Sequence, residues 1–151
     1  MMTDTVAHEL RRIVDTTARH LLTLDASRVA VKPAPEKWSI QEILGHLLDS
    51  AVNNHHRFVR AQAVDAFVFP KYEQDAWVAA QHYADRDWPS LIELWRLYNH
   101  HLAHVIRHIP EDKLGVSCRI GPYDPVTLGF LVEDYLAHLK HHLNQITAFS
   151  D

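Results

Sequence analysis

Histidine is the residue type out of proportion in this chain, with 13 among 151 residues. The segment Tyr135-Leu136-Ala137-His138-Leu139-Lys140-His141-His142-Leu143-Asn144-Gln145-Ile146 carries three of them. His138 and His142 are four apart, so on a helix their rings point the same way, one turn apart. Two imidazoles so placed can share one divalent ion, the logic of the His-x-x-x-His half of zinc proteases. On a helical wheel both fall at the margin of the apolar arc, while His141 points further out, toward solvent or a pocket rim. A catalytic zinc site takes three protein ligands and keeps one position open, so a third donor is needed. His46, in Gly45-His46-Leu47-Leu48-Asp49-Ser50, lies beside an apolar helix face in a polar stripe with Ser50, Asn53 and Arg57. A histidine in such a stripe is ordinarily just exposed. It matters if its helix packs against the one carrying His138 and His142.

Other residues are weighed against this set. Asp49, three after His46, is a candidate catalytic group that orients a ligand or acts as a base, or else an exposed carboxylate. Tyr135, three before His138, is a second catalytic candidate, and Gln145, three after His142, can hydrogen-bond a ligand ring from behind. His55 falls on an apolar side and reads as a satisfied core histidine. His100, His104 and His108 form a stripe opposite their helix's apolar seam and read as a solvated face, whereas His101 lies nearer the seam. Ser50, Asn53 and His101 are therefore expected to line a pocket. Trp38 packs the entry to the second helix, and Cys118 is a passive loop thiol with no charged partner near it in sequence.

The elements that must position these groups are helices. Glycine is scarce, strand-like alternation is missing, and apolar residues recur at three- and four-residue steps. A first helix is expected from Asp4 to Leu24, stopped by Lys32-Pro33-Ala34-Pro35. Ser39-Ile40-Gln41-Glu42 forms a capping box that opens a second helix running to about Val64. A short helix is expected around Glu73–His82. Asp87-Trp88-Pro89-Ser90 opens the third long helix, with its seam through Leu91, Leu94, Tyr98, Leu102, Val105 and Ile109. Gly115 to Pro125 reads as a loop with a short extended crossing, and a last long helix spans Thr127 to Phe149. Four long amphipathic helices with at least two long connections predict an all-α four-helix bundle forming a single domain over residues 1–151.

Composition removes several function classes. A net charge of −4 and a pI near 6.3 give no electrostatic basis for binding nucleic acid or anionic membranes. One cysteine allows no internal disulfide, no thiolate zinc finger and no iron–sulfur cluster, and fits a reducing compartment. The start has no basic flank and no apolar stretch, so a cytoplasmic protein is expected.

Two segments carry a family resemblance. Glu36-Lys37-Trp38-Ser39-Ile40-Gln41-Glu42-Ile43-Leu44-Gly45-His46-Leu47-Leu48-Asp49-Ser50 resembles the second-helix signature of the DinB/YfiT-like superfamily. His138-Leu139-Lys140-His141-His142-Leu143-Asn144-Gln145-Ile146 resembles its C-terminal H-x-x-H-H-x-x-Q-I pattern. The order and separation of the motifs and the chain length also match. The resemblance implies a metal held by one histidine of the second helix and two of the last, here His46, His138 and His142. It implies zinc or nickel as the ion, and often a homodimer. Some members are S-transferases or isomerases that use low-molecular-weight thiols; others are regarded as metal-dependent hydrolases of unproven substrate. The expectation is a metal-dependent enzyme acting on a small molecule, either a thiol transferase with a low-molecular-weight thiol cosubstrate or a hydrolase. The rivals are a non-catalytic metal-binding or stress-response bundle, and an interaction bundle in which the three histidines do not converge.

Overall fold

The computed structural model describes residues 1–150. Its long helices are α1 (Met2–Leu21), α3 (Ile40–Arg60), α5 (Trp88–Arg107) and α6 (Leu128–Ser150). Two short ones, α2 (Ala26–Val29) and α4 (Gln74–Gln81), sit in the connections. α1 packs on α5 and α6, and α3 packs on the same two helices. Helices adjacent along the chain, α1 with α3 and α5 with α6, therefore face each other across the diagonals of a four-helix bundle. That arrangement requires long crossovers. It also puts α3 beside α6, the juxtaposition that His46 needs.

Local chemistry sets the helix starts. The Ser39 hydroxyl accepts from the Glu42 amide, and the Glu42 carboxylate accepts from the Ser39 amide, each at 3.1 Å, which completes the capping box of α3. The Asp87 side chain accepts from the Ser90 amide at the start of α5, with Pro89 in the first turn, where its missing N–H costs nothing. Fully enclosed Leu10, Leu21, Ile43, Leu44, Phe58, Leu91, Trp95, Leu102, Ile106 and Leu128 form the core.

The structure corrects several expectations. α1 ends at Leu21, and α2 occupies part of the segment beyond it, capped by Asp25, whose side chain accepts from the Ser27 amide at 2.8 Å. α3 stops at Arg60 and passes into a single 3-10 turn over Ala61–Ala63. The buried face of α5 is rotated from the expected seam. Ile92, Trp95, Asn99, Ala103 and Ile106 join Leu91 and Leu102 inside, while Leu94 is 39% exposed and Tyr98 and Val105 are only partly covered. A helix that touches both α1 and α3 buries a wider arc than a two-helix seam, and that arc is centred elsewhere.

The crossovers also hold a small sheet: β1 (Ala66–Phe69), β2 (Ser117–Ile120) and β3 (Val126–Thr127). β1 lies parallel to β2, with Phe67 opposite Cys118, and β2 is antiparallel to β3. β2 and β3 fall around the expected extended crossing, but β1 falls where the sequence showed only a helix end. Cys118 lies inside β2 and is fully buried. No helix among the described residues is long and apolar enough to cross a membrane.

Candidate metal centre

α3 presents His46 toward α6, and α6 returns His138 and His142 from successive turns. The Nε2 atoms of His46 and His138 are 3.5 Å apart, and those of His138 and His142 are 3.1 Å apart. One ring nitrogen from each of the three lies within 4.8 Å of the others, the only such histidine, cysteine or carboxylate cluster among the described residues. Metal–nitrogen bonds of ~2.0–2.1 Å in tetrahedral array put donor nitrogens roughly 3.3 Å apart, so the observed spacing suits one shared ion.

Electrostatics agrees with the geometry. Burial holds the His46 pKa down at about 3, helped by the neighbouring His142 and His138 rings. Burial likewise brings His138 down to about 4, with His142 and His141 adding to it, and lowers His142. Near neutral pH all three are uncharged, the form in which imidazole donates a lone pair. The Gln145 side-chain oxygen, which can only accept, lies 2.9 Å from His142 Nδ1. The proton therefore sits on Nδ1, and the Nε2 lone pair faces the other rings. His46 is fully buried, with its Nδ1 unpartnered and the Trp38 ring 4.8 Å away. Trp38 thus packs the start of α3 and also covers the back of a site histidine.

Beside the cluster opens a cleft of about 540 Å³, with His138, Tyr135 and Asp134 of α6 on one side and Ser50, Asn54 and Arg57 of α3 on another. The crossovers close it with Lys71–Asp75, Ile120 and Tyr123. Ser50 thus stands where expected. Asn53 and His101 do not line the cleft: Asn53 is buried and donates to the Asp49 carbonyl, and His101 is exposed beside His55. His101 fails because the α5 face it was placed on is rotated. His141 is exposed. His55 is partly buried, with Nδ1 2.7 Å from the Tyr98 hydroxyl. Among the stripe on α5, His104 and His108 are exposed, and His100 pairs with Asp15 at 2.7 Å.

The two catalytic candidates are both committed elsewhere. Asp49 is fully buried rather than exposed and lies outside the cleft lining. Its Oδ1 accepts from the Tyr83 hydroxyl at 2.5 Å and from the Gln81 amide at 3.0 Å. Burial raises its pKa against the pull of those two bonds. Gly45 makes this network possible, because a methyl group there would overlap the Tyr83 ring. His82, in the left-handed conformation at φ 53°, turns the chain from α4 so that Gln81 and Tyr83 both face α3. Tyr135 does line the cleft, but its hydroxyl donates to Asn99 at 2.5 Å, and burial raises its pKa. The sequence argument passed over Asn54, Tyr72 and Asp134, and named Arg57 only as part of the polar stripe of His46 without placing it in a pocket. Three of these four carried a usable signal: Asn54 and Arg57 continue the His46–Ser50 face of α3, and Asp134 stands one turn before His138.

Comparison with known proteins follows the same lines. A search of curated proteins returned no match. Among solved structures, the chain is similar to YfiT from Bacillus subtilis, described as "a probable metal-dependent hydrolase with an unusual four-helix bundle topology". The TM-score is 0.87 at 18% identity, covering 98% of this chain and 85% of that one, so the fold is shared. The model of the DinB superfamily matches residues 9–146, from within the first long helix to within the last, and includes all three clustered histidines. This chain belongs to the DinB superfamily.

Proposed function

We propose that the protein is a metal-dependent enzyme in which His46, His138 and His142 hold one divalent ion, zinc or nickel, at the edge of the cleft. The observation that carries this is the convergence of three neutral imidazoles, one buried and two half-buried, with their nitrogens at ligand spacing beside a space of small-molecule size. Held by uncharged ligands, such an ion keeps its double charge and supplies Lewis acidity to an oxygen or sulfur ligand.

Hydrolysis of a small electrophile is the chemistry best supported. The structural neighbour is described as a hydrolase, and the cleft wall carries Asp134, a carboxylate one turn from His138 that can take a proton from an incoming water. Asp49 does not fill that role, because it is fully buried outside the cleft lining, with Oδ1 held by Tyr83 and Gln81. Tyr135 shapes the wall and keeps its own proton, which it donates in a hydrogen bond to Asn99 Oδ1. Ser50, Asn54 and Arg57 offer polar contacts to a bound molecule.

Transfer to a thiol is the second reading, and one observation limits its form. Cys118 is enclosed in β2, bonded to the Val116 carbonyl, and burial pushes its pKa up. A thiol would therefore have to enter as a low-molecular-weight cosubstrate. The test is elemental analysis of tag-free protein, then turnover of a panel of esters, amides and alkylating electrophiles with and without added thiols. One ion per chain, with turnover lost in His138→Ala, is expected. Protein that neither carries nor takes up zinc or nickel would overturn the proposal, and a bound ion without any turnover would favour a metal-binding bundle.

A further inference from the structure

Arg57 follows His46 by three turns on the same face of α3, roughly 16 Å further along the helix axis. It is 8% exposed and lines the cleft. Its Nε is wholly enclosed without a partner, and the guanidinium forms no hydrogen bond or ion pair with any described residue. A guanidinium brings five N–H donors, and leaving them unmatched in a confined site is costly. What the protein does supply is the face of Phe69, 5.3 Å away, which supports the cation and leaves its edge free. Burial lowers its pKa, and the nearby Tyr72, Asp134 and Cys118 oppose that, so from so high a starting value it stays charged. Helical side chains lean toward the N-terminus, which here is toward His46.

We infer that the cleft receives a monocarboxylate, its carboxylate gripped by Arg57 and its other end directed toward the three histidines. The grip on the carboxylate stands by itself; the orientation toward the histidines rests on the function proposed above. The fork of a guanidinium matches the two oxygens of a planar carboxylate. A doubly charged phosphate fits poorly. Asp134, Glu73 and Asp75 line the same cleft, and Lys71, its other cation, pairs with Glu73 at 3.3 Å. With Lys71 paired to Glu73, Arg57 shares the cleft with Asp75 and Asp134, so each further negative charge on a guest meets repulsion and one charge is favoured over two. Tyr72, Tyr123 and Ile120 are the aromatic and aliphatic part of the lining, so an aromatic monocarboxylate is the probe chosen.

The test uses metal-free, tag-free full chain titrated with hydrocinnamate, with its uncharged amide, and with inorganic phosphate, followed by calorimetry and by NMR shifts of backbone amides. Hydrocinnamate is expected to bind with its shifts centred on residues 50–57 and 120–123, and on the order of tenfold or more tighter than the amide. Arg57→Gln should erase that preference. Arg57→Lys, which keeps charge but loses the fork, should retain part of it and covers the case in which the glutamine variant does not fold. Asp134→Asn should tighten carboxylate binding. Absence of hydrocinnamate binding, equal binding of the amide, or a preference that survives Arg57→Gln would overturn the proposal, and phosphate binding as tightly would overturn the carboxylate class. Zinc stoichiometry, measured on the same tag-free preparations before the metal is stripped and again after zinc is added back, separates the two proposals. Arg57→Gln should keep its zinc, and wild-type protein without zinc would sink the metal site while leaving the carboxylate site standing.

Discussion

The tautomer of His142 is set by a side chain outside the cluster. With Gln145 accepting from Nδ1, the ring offers its lone pair at Nε2. Gln145→Leu should therefore weaken zinc affinity by ~10–100-fold, as losses of such partners do, while leaving the fold intact; competition with a chromophoric chelator measures it. His138→Ala and His142→Ala should abolish stoichiometric binding, and His141→Ala should spare it, by elemental analysis. Retention in the His142 variant with loss in the His141 variant would mean that the ring directions are misassigned. The same rings make the metal-free protein acid-sensitive. Burial holds His46 at about 3 and His138 at about 4 when folded, below the ordinary imidazole value of 6.5. Between those limits the unfolded chain binds protons that the folded chain refuses, so stability falls as pH drops through that window. The loss is at most about 1.4 kcal/mol per ring for each pH unit. Denaturation at pH 7 and pH 5 should show it, and His46→Gln should shrink the difference. The i, i+4 spacing made His138 and His142 legible in the sequence. His46 was legible only through the family resemblance, because a histidine in a polar stripe says nothing about the helix it meets. The burial of Asp49 was invisible, since Tyr83 and Gln81 arrive from more than thirty residues away.

Among the elements, α3 carries the most constraint, since one face holds His46, Asp49 and Arg57 and another fills the core. Leu47→Ala should cost ~2–5 kcal/mol in chemical denaturation, because Leu47 is 1% exposed and the space it leaves cannot close fully. Gly45→Ala improves helix propensity and should nevertheless destabilise by ~1–3 kcal/mol, since the Tyr83 ring has to move and takes its bond to Asp49 with it. A more stable alanine variant would mean that Tyr83 repacks without cost. Capping chemistry and periodicity located all four long helices. They misjudged the α5 face because Leu94, Tyr98 and Val105 obey the seam spacing as well as Trp95, Asn99 and Ile106 do, and only the partner helices decide between them. They missed β1 for a related reason. Four residues, Ala66-Phe67-Val68-Phe69, become a strand only through pairing with Ser117–Ile120, far away along the chain.

At the scale of the molecule, an ion on His46, His138 and His142 would cross-link α3 and α6 across 92 residues of chain. Zinc at a thousand times its dissociation constant should add ~4 kcal/mol to folding, seen as a rise in melting temperature that EDTA reverses and that His138→Ala lacks. The cleft itself has a divided ancestry. Its imidazole end is framework, fixed by capped helices and a packed core; its far wall is crossover chain, the stretch from Lys71 to Asp75 and the turn bearing Ile120 and Tyr123, stitched together through the β1–β2 ladder. Grafting those two stretches from one family member to another would thus reshape the wall that meets a guest while leaving the imidazole end and Arg57 of α3 untouched, which gives a single scaffold a short route to new specificities.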